Sequence, residues 1–193
     1  MNLYTYSGRI SYPSGSPSIL DIAVSLSREC RYAGAGVHWW PVALHTFVVC
    51  DLLPKPSQLH GLLHDASECI TGDIPKPAKS AETESLEGRL QAGIYRGLGL
   101  RQPNAEESVL VHEADRRALH GEVYTVGTKA LRDIYPRDLE AEGLVDFYRH
   151  RYPVEECVEA DGPCVRHFLY RYAKYITAVE PLAPRSPRAF AST

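Results

Sequence analysis

The chain has 193 residues, of which 44% are hydrophobic and 23% are charged, so one globular domain with its own core is expected. This composition excludes intrinsic disorder, collagen and coiled coil as the main architecture. Lys and Arg number 21 against 24 Asp and Glu, a formal net charge of −3, and we therefore expect no stable nucleic-acid binding.

The first part of the chain predicts an arm followed by two helices. Residues 1–17 are rich in Ser, Gly, Tyr and Pro, a composition typical of an extended arm or loop. Ser18 and Asp21 form an S-x-x-D pattern that resembles a capping box, and apolar residues follow it at helical spacing. A second helix is expected to begin after Pro41 and to end near Leu53.

The next segment predicts a third helix and a rigid loop. Ser57 is expected to cap this helix, which should run through His64 and Asp65. Gly72 and the prolines that follow it should end the helix, leaving residues 71–79 as a loop.

Helical periodicity also predicts four helices in the second half of the chain. The expected spans lie near residues 86–94, 105–124, 139–148 and 165–176. In the second of these we expect Val109, Leu110, Ala114, Ala118 and Leu119 to face inward. Residues 181–193 predict a flexible tail. The sequence therefore predicts a compact all-α domain of six or seven helices over residues 18–180.

The cysteines and hydropathy bear on the compartment. Five cysteines without a C-x-x-C pair disfavour a disulfide framework or a thiolate zinc site, so we expect them to be reduced and mostly buried. Every long window is broken by a charge or a proline, and the N-terminus lacks the apolar stretch of a signal peptide. We expect a cytoplasmic protein with no membrane partner.

The stretch LLHDASECITGDIPKPAK concentrates the groups that carry chemistry. The charge of Asp65 in an apolar helix is costly unless it is paired or bound to a metal. Glu68 is close enough along the helix to border the same patch as His64 and Asp65. His45 on the preceding helix and Asp115 on a later one could complete the group. Two imidazoles and two carboxylates suit Zn, Mn, Co, Ni or Fe rather than Ca.

The order of these residues resembles a known family. His45, then His64-Asp65, then Asp115 follow the H…HD…D signature of the HD-domain metal-dependent phosphohydrolases. The LLHDASECITGDIPKPAK stretch is similar to the YfbR-type 5'-deoxynucleotidases. The upstream DIAVSLSRECRYAGAGVHWWPVALHT is more similar to a phage branch that includes the dATP triphosphohydrolases (DatZ). The resemblance covers about residues 8–125 and implies a single HD-domain helical bundle.

The resemblance also implies roles for individual residues. The implied metal ligands are His45, His64, Asp65 and Asp115. The implied catalytic residues are Glu68, the acid or base near the attacking water or leaving oxygen, and Asp73, near the deoxyribose or the water. The implied substrate contacts are Arg31, Tyr32, Lys76, Pro77 and Lys79. The two lysines are also open to interpretation as solvated loop residues. From its position seven residues after Asp115, Glu122 is open to interpretation as a partner of the ligands or as a member of a simple salt bridge.

The expected activity is metal-dependent nucleotide hydrolysis. The phage-like upstream half favours dATP or another dNTP cleaved to deoxynucleoside and triphosphate, in phage nucleotide metabolism. The alternative is a 5'-deoxynucleotidase that hydrolyses dNMP. A non-catalytic nucleotide-binding module and a cyclic-nucleotide or (p)ppGpp hydrolase are weaker alternatives. The family implies Zn, Co or Mn, room for a second divalent ion with the triphosphate, and a homo-oligomer, either a dimer or a hexamer.

Overall fold

The computed structural model describes residues 3–8, 10–12 and 17–177. The predicted C-terminal tail, residues 181–193, lies outside the described residues, as does part of the predicted arm. Within residues 1–17, two short strands pair antiparallel as a ribbon, β1 (Leu3–Tyr4) and β2 (Ile10–Tyr12). The predicted arm therefore contains a small β ribbon that its composition did not indicate.

The described residues otherwise form an all-α bundle, which confirms the predicted fold class. The helices are α1 (Ile19–Arg28), α2 (Val42–Leu52), α3 (Gln58–Leu63), α4 (Glu68–Thr71), α5 (Ala81–Gly97), α6 (Ala105–Thr125), α7 (Lys129–Arg132), α8 (Leu139–Arg151), α9 (Val154–Val158) and α10 (Pro163–Ile176). Single 3₁₀ turns lie at Arg31–Gly34, Lys55–Ser57 and Lys76–Ala78. Within the described part, no helix is both long and apolar enough to cross a membrane. The expected six or seven helices were too few, because several segments are only four to six residues long.

Helix α2 is the central element of the bundle. It is apolar on all sides, and the residues from Val42 to Cys50 are all buried. Such a helix is stable only when neighbours cover its whole circumference, and α1, α3, α6, α8 and α10 do so. His45 therefore lies in the interior, and any polar atom that it presents must find a partner there.

The C-terminal end of α2 is fixed by a partly buried ion pair. The Arg171 guanidinium on α10 donates to both carboxylate oxygens of Asp51, at 2.8 and 3.1 Å, and also to the hydroxyl of Tyr148 on α8. The same guanidinium donates to the hydroxyl of Tyr175 at 3.1 Å. Helices α2, α8 and α10 are thus joined at the C-terminal end of α2, whereas His45 lies near its N-terminal end.

The predicted third helix is interrupted. Helix α3 ends at Leu63, and residues 64–67 form tight turns before α4 begins at Glu68. Backbone hydrogen bonds there close three-residue turns, such as Ala66 N–H to the Leu63 carbonyl at 3.1 Å. The expectation of His64 and Asp65 inside one continuous helix was wrong. The Ser57 side chain also makes no capping hydrogen bond, contrary to expectation.

The inward face of α6 also differs from the prediction. Val109 is 68% exposed and Leu110 is 38% exposed, whereas Val111, Ala114 and Ala118 are buried. The inward positions predicted at Ala114 and Ala118 are therefore confirmed, and those at Val109 and Leu110 are wrong. Early in α6 the buried positions are instead Glu107 and Val111, because apolar spacing gives no weight to a buried polar residue such as Glu107.

The start of α1 confirms the predicted capping box. The Asp21 backbone N–H donates to Ser18 Oγ at 3.2 Å, and the Ser18 backbone N–H donates to Asp21 Oδ2 at 2.8 Å. Ser7, between the two strands, donates its backbone N–H to Asp21 Oδ1 at 2.8 Å. Burial alone would raise the pKa of Asp21, but the hydrogen bonds from Ser18 and Ser7 outweigh it and lower that pKa to about 2.

Replacing Asp21 by Asn should show how much this carboxylate contributes to stability at acidic pH. Its pKa of about 2 in the folded protein lies below the ordinary aspartate pKa of 3.8, so its contribution to stability is complete above pH 3.8 and is lost as pH falls toward 2. We expect Asp21→Asn to cost about 1–2 kcal/mol at neutral pH and to flatten the loss of stability below pH 4. Urea unfolding from pH 2 to 7 measures both effects, with Asp161→Asn as an exposed control. Equal acid sensitivity of Asp21→Asn and wild type would contradict this assignment.

Helices α6 and α8 approach each other at a glycine. A Cβ on Gly121 would lie 2.5 Å from the backbone carbonyl carbon of Ala141 and 2.6 Å from the backbone nitrogen of Glu142. Both atoms belong to backbone that cannot move aside, so the contact requires glycine. Gly88 in α5, by contrast, has no heavy atom within 4 Å of a built Cβ.

Alanine at these two glycines should change stability in opposite directions. Gly121→Ala forces α6 and α8 apart and should cost about 1–3 kcal/mol or more. Gly88→Ala adds helix propensity without a clash and should stabilise the protein by about 0.5–1 kcal/mol. Chemical unfolding of both variants measures the difference. A neutral Gly121→Ala would show that the helices are not in this close contact.

Candidate metal centre

Four side chains from three elements meet beside the buried face of α2. His45 comes from α2, His64 and Asp65 from the turn between α3 and α4, and Asp115 from α6. The two Nε2 atoms of the histidines lie 3.3 Å apart. Asp115 Oδ1 lies 3.0 Å from His45 Nε2 and 3.8 Å from His64 Nε2. Asp65 Oδ2 lies 3.0 Å from His64 Nε2 and 3.6 Å from His45 Nε2.

The opposite nitrogen of each imidazole is already engaged. His45 Nδ1 lies 2.6 Å from the Glu122 carboxylate, and His64 Nδ1 lies 2.8 Å from the carbonyl oxygen of Gly61. Both partners can only accept, so the hydrogen-bond network assigns the ring proton to Nδ1 in each case. Each Nε2 therefore directs a lone pair at the same point. Because two lone pairs repel each other there, a proton or a cation must lie between them.

The spacing of these atoms fits a small divalent ion. Ligand atoms about 2.1 Å from a tetrahedral ion lie about 3.4 Å apart. The separations given above bracket this value, and His45, His64 and Asp115 offer atoms that all lie within 4.8 Å of one another. Asp65 borders both imidazoles as a fourth donor. The donor set, two imidazole nitrogens and two carboxylate oxygens, could thus hold a transition-metal ion.

The electrostatics show how strongly this group attracts positive charge. Burial alone would lower the pKa of His64, but Asp65 and Asp115 outweigh it and hold that pKa well above its usual value. Burial would raise the pKa of Asp115, but its hydrogen bonds with His45 and His64 outweigh it and lower that pKa far below its usual range. Without a metal, protons on the imidazoles take the place of the cation. Metal binding must therefore release protons.

Glu122 lies directly behind the metal ligands. Its side chain is fully buried, and Oε1 accepts from His45 Nδ1 while Oε2 accepts from Arg31 Nε at 3.1 Å and from the Tyr32 hydroxyl at 2.7 Å. Burial alone would raise the pKa of Glu122, but Arg31 and His45 outweigh it and lower that pKa to about 2. Both contacts left open by the sequence are therefore present: Glu122 accepts from His45, a candidate ligand, and forms an ion pair with Arg31.

Arg31 and Tyr32 lie next to the candidate metal ligands, and both side chains contact Glu122. The Arg31 side chain is 12% exposed, and besides Glu122 its NH1 lies 3.7 Å from Asp65 Oδ2. Tyr32 has φ 60° and Ala33 has φ 51°, the left-handed region that disfavours side chains. The Tyr32 ring is held through its hydroxyl and is only partly exposed.

The two residues expected to be catalytic lie close to the four donors. Glu68 is 6% exposed and its Oε2 has no hydrogen-bond partner in the protein. Burial, reinforced by the Asp65 and Asp73 carboxylates, raises the pKa of Glu68 to about 9. Asp73 Oδ2 accepts from the Tyr32 backbone N–H at 3.0 Å, so this side chain also holds the left-handed turn in place.

The remaining predicted substrate contacts lie on the loop after α4. Lys76 and Pro77 are exposed. Lys79 Nζ donates to Glu87 on α5 at 2.9 Å, so its charge is already paired. Of the two lysines, Lys76 is the exposed one, and among the described residues it forms no ion pair.

A surface cleft opens beside the metal ligands. It has a volume of about 260 Å³ and includes His64 and Asp115 in its wall. Tyr95, Gln102 and His112 also line this cleft. None of the described residues that line this cleft is Lys or Arg.

Sequence reasoning missed two residues that support the site. The Gln91 side-chain amide on α5 accepts from the Ser67 backbone N–H at 3.0 Å and donates to the Leu63 carbonyl at 2.5 Å, which ties off the interrupted helix around His64. Glu29 Oε1 accepts from the Asp73 backbone N–H at 3.1 Å. Neither residue lies in a motif, and their role depends on contacts 24 to 44 residues away in sequence.

The comparisons with known proteins are narrow. No protein-family model matches the chain. Over 84 residues the chain is 39% identical to uncharacterized protein YfdR of Escherichia coli (strain K12). This similarity covers 42% of the chain and 47% of the relative, so the chain spans about half the length of that protein. The name of the relative assigns no activity.

Removal of a ligand should abolish cation binding without unfolding the protein. We expect His64→Ala to weaken Co²⁺ or Zn²⁺ binding at least 100-fold, because one of the four donors is lost and the others remain. His150→Ala, an exposed histidine on α8, should leave affinity unchanged. Isothermal titration calorimetry on chelator-treated protein measures this. Equal affinities in the two variants would exclude this cluster as the cation site.

Proposed function

We propose that this chain is a metal-dependent nucleotide phosphohydrolase. The observation that carries the proposal is the convergence of His45, His64 and Asp115 on one point, with Asp65 beside both imidazoles and both Nδ1 protons already committed elsewhere. The buried acid Glu68 lies beside this point, and a cleft reaches it from the surface. A group of donors that is closed on the core side and open on the other has the arrangement of a catalytic site rather than of a structural metal site.

Each part of the site has a definite task in such a reaction. A bound divalent ion would supply Lewis acidity toward a phosphoryl oxygen and lower the pKa of a water molecule. Glu68 would take a proton from the attacking water or deliver one to the leaving oxygen. The Arg31 guanidinium, fixed by Glu122, would add positive charge toward the phosphate from the Asp65 side. Asp73 would hold Tyr32 in place through its backbone.

Within this class we propose a dNTP as the substrate, with dATP first. The support is the resemblance of the upstream segment, including Arg31 and Tyr32, to the phage dATP triphosphohydrolases. The products would be the deoxynucleoside and triphosphate. Zn, Co or Mn suits the donor set, and a second divalent ion could accompany the triphosphate. A homo-oligomer in the cytoplasm remains the expectation for its assembly and location.

One observation favours a 5'-deoxynucleotidase as the second candidate. Arg31 and Lys79 are both paired with carboxylates, and the cleft beside the site contributes no Lys or Arg among its described residues. Three phosphates in a row need more positive charge than one. The described residues near the site are therefore better matched to a monophosphate, unless a second ion or a neighbouring subunit supplies charge.

The two candidates are separated by their products. With Co²⁺ or Mn²⁺ present, the triphosphohydrolase converts dATP to deoxyadenosine and triphosphate, whereas the nucleotidase releases phosphate from dAMP alone. Chromatography of the nucleosides together with phosphate detection distinguishes the outcomes. Turnover of dAMP without dATP would select the second candidate. No turnover of dNTPs or dNMPs by cation-loaded protein would reject the proposed function.

Glu68→Gln should separate catalysis from cation binding. The amide keeps the size of the side chain but can neither take nor deliver a proton, so we expect kcat to fall about 10²–10⁴-fold. Cation affinity should change little, because Glu68 is not one of the four donors. Glu142→Gln, which changes a carboxylate paired with Arg137 on α8, is the matched control. Full turnover by Glu68→Gln would remove the assigned role.

A further inference from the structure

Glu122 joins two parts of the site that lie far apart in sequence. It lies seven residues after Asp115, two turns further along α6, and its side chain is fully buried. One carboxylate oxygen faces His45 Nδ1 at 2.6 Å, and the other receives Arg31 Nε at 3.1 Å and the Tyr32 hydroxyl at 2.7 Å. The first contact is to a metal ligand, and the other two are to the turn at residues 31–34.

That turn is not a conformation that its sequence favours. Tyr32 and Ala33 both have positive φ, and neither is glycine, so surrounding contacts must impose the geometry. The contacts on this turn are the Arg31 and Tyr32 side chains on Glu122, the Arg31 guanidinium 3.7 Å from Asp65, the Arg31 N–H on the Trp40 carbonyl at 2.9 Å, the Tyr32 N–H on Asp73, and the Ala35 N–H on the Tyr32 carbonyl at 2.9 Å. Glu122 supplies the only described carboxylate that both side chains of the turn share.

We propose that Glu122 is a positioning residue that couples cation binding at His45 to the order of the Arg31–Tyr32 turn. The inference rests on the proposed function, because it takes the four donors to be a metal centre. A carboxylate behind a metal-ligating histidine fixes the ring and its tautomer. Here the same carboxylate also fixes the turn. When His45 holds Glu122 in place, Glu122 is positioned to bind Arg31 and Tyr32, and the reverse also holds.

The coupling is reciprocal. If a bound cation holds the His45 ring against Glu122, the carboxylate is less free to leave Arg31 and Tyr32, and the turn becomes more ordered. Equally, loosening the turn must weaken cation binding by the same factor. A carboxylate with only a structural role would change stability but would not make protection of the turn depend on the cation.

The test measures Co²⁺ affinity together with hydrogen exchange over residues 30–37. In wild type, saturating Co²⁺ should slow exchange in this segment. Glu122→Gln retains the shape of the side chain but loses its charge, and we expect it to weaken Co²⁺ binding about 10–100-fold and to abolish the Co²⁺-dependent protection. The control Glu142→Gln should behave as wild type in both measurements.

A second variant keeps the test valid if Glu122→Gln does not fold. Tyr32→Phe removes the hydroxyl bond to Glu122 and leaves the contact between Glu122 and His45 in place. Coupling predicts faster exchange of the turn and several-fold weaker Co²⁺ binding in Tyr32→Phe. Faster exchange with unchanged affinity would overturn the inference.

Different results would reject the metal centre and the positioning role of Glu122. If wild type does not bind Co²⁺, or binds it equally after His64→Ala, the metal centre itself is wrong. If wild type binds Co²⁺ through His64 but Glu122→Gln and Tyr32→Phe bind it as tightly, only the positioning role of Glu122 is wrong.

Discussion

Two imidazole nitrogens and the Asp115 carboxylate face one point beside the buried part of α2, with Asp65 next to both imidazoles, and the rest of the structure holds them there. Such a group is costly to assemble, because burial removes water from His45 completely and from the other members in part. Each Nε2 presents a lone pair, since the Nδ1 atoms of His45 and His64 are committed to Glu122 and to the Gly61 carbonyl. Positive charge at the common point compensates for this cost, whether it comes from protons or from a metal ion.

The bundle supplies the rigidity that this arrangement requires. Helix α2 is covered on all sides, Arg171 and Asp51 fix its far end, and the Gly121 contact sets the distance between α6 and α8. Because Asp115 and Glu122 lie on α6, that helix brings both a donor and the carboxylate behind His45 to the same place. Small displacements of α2 or α6 would separate the donors, so packing and chemistry depend on the same contacts.

Much of this could be read from the sequence, and the failures have physical causes. Apolar periodicity and the Ser18–Asp21 capping box predicted an all-α domain, and the spacing of His45, His64-Asp65 and Asp115 predicted the donors that the structure brings together. Periodicity could not predict that the helix is interrupted at His64, because the hydrogen bonds that satisfy the backbone at the interruption come from Gln91 on α5. Nor could it show that Arg31 is held by Glu122, a contact between residues 91 positions apart.

The most direct measurement is anomalous scattering from a crystal of the full chain soaked in Co²⁺ or Zn²⁺. The account predicts one strong peak about 2.0–2.2 Å from the Nε2 atoms of His45 and His64, with carboxylate oxygens of Asp65 and Asp115 completing the sphere. A soaked crystal with no peak among these four side chains, or with the ion bound elsewhere, would contradict it.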